Sequence, residues 1–231
     1  MKVSFDTFFI NKNFVVCYYL SMTNKYDVFL FDFDGTLFDT LESSIYVFEE
    51  AYSHIGIKIK KEDILGYTRE PIPVSYKRVM GSMDGYDNFI ADIDRLVLSQ
   101  KVTDMAEIYS DTAEILKYLK DNKKTVGIVT SNAESHVLDV LNRFGLAKYF
   151  DVIVGNRQAP IPKPSPEPIL KTLEVLKYNG DKKKVVYIGD SFNDVISAIE
   201  AGVEPILLDR LYECDKHKDW KIIKTLNEIK G

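Results

Sequence analysis

Val28-Phe29-Leu30-Phe31-Asp32-Phe33-Asp34-Gly35-Thr36-Leu37 decides how this chain is read. Four consecutive apolar residues of β-forming type suit a strand buried on both faces, as strands of parallel sheets are. Two carboxylates and a glycine follow at once, so acidic groups stand at the carboxyl end of that strand. Similar runs recur at Thr125-Val126-Gly127-Ile128-Val129, Val152-Ile153-Val154, Val185-Val186-Tyr187-Ile188 and Pro205-Ile206-Leu207-Leu208. Between them the apolar residues recur with helical period. Residues 111–119 align Ala113, Ile115, Leu116 and Leu119, with Ser110 or Asp111 as the expected N-cap. Residues 133–144 align Val137, Leu138, Leu141 and Phe144, and residues 166–176 align Ile169, Leu170, Leu173 and Leu176. Residues 195–201 close the series, with Gly202 as the stop signal.

Strands alternating with helices predict an α/β fold, a Rossmann-like doubly wound parallel sheet. Residues 40–103 break the alternation and read as helices only, over 41–55, 62–65, 74–80 and 86–100. A small all-helical cap inserted after the first strand is the simplest account. The expected division is therefore a core of residues 25–39 and 104–231, a cap of residues 40–103, and an N-terminal extension of residues 1–24. The extension holds the apolar run Phe14-Val15-Val16-Cys17-Tyr18-Tyr19-Leu20, which lacks a small-residue cleavage site and is too short to span a bilayer. Met22 would serve equally well as a start.

The bulk properties narrow the function. The chain has 231 residues, 45% hydrophobic and 28% charged, as expected of an ordinary globular protein. A net charge of -5 argues against nucleic acid as the main partner, because phosphate backbones are bound by excess Lys and Arg. Cys17 and Cys214 form no paired motif, which points to a reducing, cytoplasmic setting rather than a disulfide or zinc framework. His54, His136 and His217 have no paired spacing and read as surface or packing residues.

Four short stretches follow predicted strands: Asp32-Phe33-Asp34-Gly35-Thr36-Leu37, Thr130-Ser131-Asn132, Lys163-Pro164 and Gly189-Asp190-Ser191-Phe192-Asn193-Asp194. In parallel sheets, loops beyond the carboxyl ends of the strands converge. Convergence would gather Asp32, Asp34, Asp190 and Asp194, a formal charge of about -4 that needs a counter-ion. A hard divalent cation with oxygen ligands, Mg2+ in particular, answers that need and bridges to phosphate. Lys163 supplies a further positive charge. A carboxylate can attack phosphorus to form an aspartyl-phosphate, and a second one two residues on can exchange protons with the leaving oxygen and with water. The Thr130 hydroxyl and the backbone N–H groups of Ser131 and Asn132, expected at the start of the next helix, can bind phosphoryl oxygens. Gly35 allows the sharp turn this arrangement needs.

In this order, the four stretches resemble the haloacid dehalogenase-like (HAD) hydrolase superfamily over residues 26–208. The pattern DxDGT[LV] is matched by Asp32 to Leu37, the hydrophobic run ending in Thr by Val126 to Thr130, the lysine by Lys163 within KPxP, and GDSxxD by Gly189 to Asp194. The resemblance implies Asp32 as nucleophile, Asp34 as general acid/base, Thr130 as phosphate ligand and Lys163 as the stabiliser of nucleophile and phosphoryl group. It implies Mg2+ on Asp32, on the backbone carbonyl of Asp34 and on Asp190, with Asp194 behind them or reached through water. The helical insert resembles the small cap of the phosphoglycolate phosphatase and β-phosphoglucomutase branch. There Gly66-Tyr67-Thr68-Arg69-Glu70 occupies the specificity loop, making Tyr67 and Arg69 the candidate substrate contacts. The loop Gly155-Asn156-Arg157-Gln158 departs from the phosphoglycolate subgroup, since it lacks an acidic residue before the lysine.

The expected function is a Mg-dependent phosphoric monoester hydrolase acting on a small phosphorylated metabolite, as a monomer or homodimer and without a membrane partner. The same site would serve a phosphomutase or an inorganic pyrophosphatase. A non-catalytic phospho-acceptor module is the alternative outside enzymes, disfavoured by the second aspartate, the insert and the GDSxxD loop.

Overall fold

A computed structural model describes residues 21–67, 70–211 and 219–231. Residues 1–20 of the extension, both cysteines, Thr68, Arg69 and His217 lie outside the described residues. A short helix α1 (Ser21–Lys25) leads into β1 (Val28–Phe31). Its four residues are all buried, as their unbroken apolar character requires. β1 is central in a six-stranded sheet with β4 (Thr125–Val129), β5 (Val152–Val154), β6 (Val185–Gly189), β7 (Glu204–Leu208) and β8 (Lys221–Ile223). The order is β5-β4-β1-β6-β7-β8 and every pairing is parallel. Phe31 stands level with Ile128 on one neighbour and Ile188 on the other, so Asp32, Thr130 and Asp190 leave the sheet at nearly one height.

Helices α7 (Thr112–Asp121), α8 (Glu134–Arg143), α9 (Glu167–Val175) and α10 (Phe192–Ala201) cover the sheet. One face packs Phe29, Phe31, Ile115, Leu116, Val137 and Val140 together; the other packs Val28, Leu30, Ile169, Leu173, Tyr187 and Ala198. This is the doubly wound α/β architecture that the alternating pattern predicts. Two details of the helical stripes differ from expectation. Leu138 is 44% exposed and Leu170 38% exposed, while His136 and Val140 are buried on α8. A helix crossing a twisted sheet buries the side chains under the crossing point, and a bare 3.6-residue repeat does not locate that point.

Between Phe38 and Ile108 the chain leaves the sheet. It forms α2 (Leu41–His54), α3 (Lys61–Tyr67), α4 (Ile72–Met80), α5 (Tyr86–Val97) and α6 (Gln100–Met105). Their buried residues, among them Tyr52, Ile64, Tyr76, Phe89 and Ile93, make a cluster of their own. The single helix expected over 86–100 is broken after Val97, because the Ser99 hydroxyl accepts from Val102 N–H and caps a new helix. Entry and exit are joined by an antiparallel pair, β2 (Phe38–Asp39) with β3 (Glu107–Ile108). Arg143 of α8 ties the exit to the core by donating to the carbonyls of Thr103 and Ala106 at 3.0 and 2.8 Å. Among the described residues no helix is long and apolar enough to cross a membrane.

Candidate active site

The chain turns out of β1 through a loop held by its own backbone. Asp32 N–H donates to Ile188 O, Leu37 and Phe38 N–H donate to Phe33 O, and Gly35 N–H donates to Phe38 O at 2.8 Å. Gly35 has φ +70°, and a Cβ there would lie 2.3 Å from Oδ2 of Asp190. Backbone shape and the approach of the neighbouring carboxylate both require glycine. At Gly189 the close approach alone requires glycine, since a Cβ there would meet Asp194 Cγ at 2.3 Å. The two glycines let the two acidic loops, after β1 and after β6, close on one point.

Asp32, Asp190 and Asp194 each offer a carboxylate oxygen within 4.8 Å of the others, the convergence expected from the strand ends. Asp32 and Asp194 are buried, while Asp190 keeps contact with solvent. Lys163 reaches in from the Pro-rich loop and is itself buried. Its Nζ lies 2.9 Å from Asp32 Oδ1 and 2.6 Å from Asp194 Oδ1. Asp194 closes a capping box on Ser191 at the start of α10, so its cap role and its site role coexist. Both of its oxygens are engaged, Oδ1 by Lys163 and Tyr187 and Oδ2 by the N–H and hydroxyl of Ser191.

One ammonium serves two carboxylates. Burial works against the Lys163 charge, yet Asp194 and Asp32 hold it well above the usual lysine range. Asp194, despite burial, is held below the usual carboxylate range by Lys163 together with Ser191 and Tyr187. Asp32 is left in excess: burial, with the charges of Asp194, Asp190 and Asp34, pushes it well above that range against the pull of Lys163. Burial and Asp194 likewise push Asp190 up to about 7, although part of its side chain touches water. Two carboxyls that resist ionising beside one already paired form an all-oxygen donor set short of positive charge. A hard divalent cation fits it.

Asp34 lies next to this cluster, partly buried, with Asn132 Nδ2 at 3.4 Å from its Oδ2. Thr130 is buried at the end of β4, and its Oγ1 accepts from Asn132 N–H at 3.0 Å. Helix α8 begins at Glu134 with Ala133 as N-cap, two residues later than a start at Ser131 and Asn132 would require. The segment 130–133 is thus a loop held by Thr130, Asn132 and the Asn132 Oδ1 bond to Ala133 N–H. Tyr67 sits at the end of α3, half-buried, with ring contacts to Tyr52 and Arg78 inside the helical segment.

Several neighbours of the cluster were not marked by the sequence. The Tyr187 hydroxyl meets Lys163 and Asp194. Glu134 accepts from the N–H groups of Gly155 and Gln158, so an acidic group reaches that loop from α8 although the loop has none. His136 is buried edge-on to Phe33 with Nδ1 lacking a hydrogen bond among the described residues, and burial lowers its pKa. His54, by contrast, is a surface residue paired with Asp92 at 2.6 Å.

The haloacid dehalogenase-like hydrolase family model matches residues 29–208, which takes in every loop just described. The chain belongs to that family. A relative in Caldanaerobacter subterraneus subsp. tengcongensis, provisionally named pyrophosphatase PpaX, is 34% identical over 187 residues, 79% of this chain and 81% of the relative. A phosphoglycolate phosphatase of Aquifex aeolicus is 27% identical over 184 residues, covering 78% and 83%. A structure from Bacteroides fragilis, provisionally described as a haloacid dehalogenase-like hydrolase, superposes with a TM-score of 0.80 at 25% identity, covering 89% of this chain and all of the other. Within the family, the chain is a hydrolase of phosphoric esters, a HAD-like phosphatase.

Proposed function

We propose that this HAD-like phosphatase depends on Mg2+, cleaves small phosphorylated molecules through an aspartyl-phosphate on Asp32, and uses residues 40–103 as a cap over the site. The observation that carries the reading is the pairing of Asp32 with Lys163 at the end of the central strand, beside Asp190. The ion pair engages Oδ1 of Asp32, and attack on phosphorus is assigned to Oδ2. As the phosphorus–oxygen bond to the leaving group breaks, Asp34 gives that oxygen a proton. In the second step Asp34 takes a proton from a water, which attacks the aspartyl-phosphate and returns Asp32 with release of inorganic phosphate. Thr130 and the N–H of Ser131 hold phosphoryl oxygens, and Lys163 offsets the charge that builds up on them. Asn132 faces the same loop through its contact to Asp34. Asp32, Asp190 and the Asp34 carbonyl would hold the cation, with Asp194, both oxygens already engaged, behind them. When bound, the cation supplies charge neutralisation at the transferred phosphoryl group.

A second reading, inorganic pyrophosphate as the substrate, is favoured by the PpaX name of the 34% identical relative. Phosphate release from pyrophosphate, phosphoglycolate, sugar phosphates and 4-nitrophenyl phosphate, with Mg2+ and with chelator, separates these substrates. Isomerisation of a sugar phosphate without release would sink the hydrolase reading in favour of a mutase. Tyr67 and Arg69 are assigned to substrate selection from the cap.

A further inference from the structure

Tyr187 looks like one more apolar residue of a buried strand. Its ring packs with Val28, Leu30, Val129 and Ile169. Its hydroxyl has another setting. It accepts from Lys163 Nζ at 3.1 Å and lies 3.0 Å from Asp194 Oδ1 and 2.9 Å from Val129 O. A phenol has one proton, so the hydroxyl donates to one of these two acceptors at a time. Val129 ends β4, directly before Thr130, while Tyr187 belongs to β6 and β1 lies between them. The phenol therefore links the two strands on either side of the one that carries Asp32.

An ammonium has three protons to place. Lys163 donates to Asp194 Oδ1 at 2.6 Å and to Tyr187 Oη at 3.1 Å, and its Nζ stands 2.9 Å from Asp32 Oδ1 as an ion pair. We propose that Tyr187 is a positioning residue for phosphoryl transfer, its hydroxyl completing the tripod that points Lys163 at Asp32. The proposal rests on the reading of Asp32 as nucleophile and Lys163 as its charge partner. A phenylalanine would fill the same apolar space, so packing does not call for the oxygen. Burying a hydroxyl is costly unless it is bonded, and here all of its bonds go to groups at the reacting end of the sheet. Without it the third ammonium proton is left unpaired and the side chain is free to tilt away from Asp32.

The test compares wild type with Tyr187→Phe in the full chain with Mg2+ present. The ammonium signal of Lys163 in 15N-lysine-labelled protein, assigned with Lys163→Met, should be sharp in wild type and broadened or shifted in Tyr187→Phe. Turnover of 4-nitrophenyl phosphate should fall about ten- to a hundredfold in kcat with KM nearly unchanged. In a Lys163→Met background the same change should cost nothing further, because the partner it positions is gone. An unaltered Lys163 signal in Tyr187→Phe overturns the proposal whatever the turnover, as does an equal loss of kcat with and without Lys163. If wild type releases no phosphate from any ester, the phosphatase reading fails, and the ammonium signal still decides the role of Tyr187.

Discussion

Arg210 grips the Asp111 carboxylate with both terminal nitrogens, at 2.9 and 3.1 Å, and one of those nitrogens also donates to Thr36 O at 2.8 Å. Its guanidinium lies over the Tyr109 ring, 3.9 Å from the centroid. Thr36 precedes β2 and Asp111 follows β3, so one side chain pins the core ends of both strands that lead to the helical segment. The second Asp111 oxygen also accepts from Leu226 N–H at 2.8 Å. Asp111 is the N-cap residue of α7, one of the two expected, and its carboxylate is turned to Arg210 and Leu226 rather than to the helix N–H groups.

Arg210→Met is expected to lower unfolding free energy by about 3 kcal/mol, because it strands a buried carboxylate. Arg210→Lys should recover only part, since an ammonium lacks the planar fork. Urea denaturation of the three proteins checks this. A loss under about 0.5 kcal/mol, typical of an exposed pair, would show that the clamp is not structural.

The helical segment between β2 and β3 depends on its own apolar cluster. Phe89 is 1% exposed, with ring centroids of Tyr52 and Tyr76 at 4.7 and 4.8 Å. Phe89→Ala should cost about 3–5 kcal/mol. Because the cluster is separate from those flanking the sheet, hydrogen exchange should speed up most in α2, α4 and α5. Uniform acceleration that includes β1 and β6 would contradict that separation.

Much of this organisation is legible in the sequence, and the parts that are not have physical reasons. Five of the six sheet strands announce themselves as apolar runs because they are buried on both faces. β8 is Lys221-Ile222-Ile223 at the sheet edge, three residues with an exposed lysine, and carries no such run. β2 and β3 have two residues each, too short for any periodicity to register. At the site, Asp32, Asp190 and Asp194 could be brought together from their places after strands. Tyr187 and Arg210 could not, since their roles depend on where a phenol or guanidinium ends, and sequence spacing does not state that.

Cation binding should depend on pH. With Asp190 pushed up to about 7 in the cation-free protein, a proton occupies it increasingly below neutrality and must leave before a cation can bind. Affinity should therefore fall as pH falls, by about tenfold per unit once well below that value if one proton is displaced. Titration calorimetry with Mg2+ at pH 8, 7 and 6 measures it, and Asp190→Asn should bind weakly with a flatter dependence. Equal affinity at pH 8 and 6 would exclude Asp190 as a ligand.

Gly35→Ala places a methyl group where Asp190 Oδ2 now lies and forces an L-residue to φ +70°. A loss of about 1 kcal/mol or more in stability is expected from the backbone conformation alone. The displaced Asp190 should also weaken Mg2+ binding. Unchanged cation affinity would mean that the loops can part without consequence.

The proposed chemistry turns on Asp32, and phosphate release with Mg2+ reads out its role. Asp32→Asn keeps the shape of the side chain, removes the proposed nucleophile and should reduce release by at least about a thousandfold across every ester that wild type cleaves. Undiminished release by Asp32→Asn would rule out an aspartyl-phosphate on Asp32.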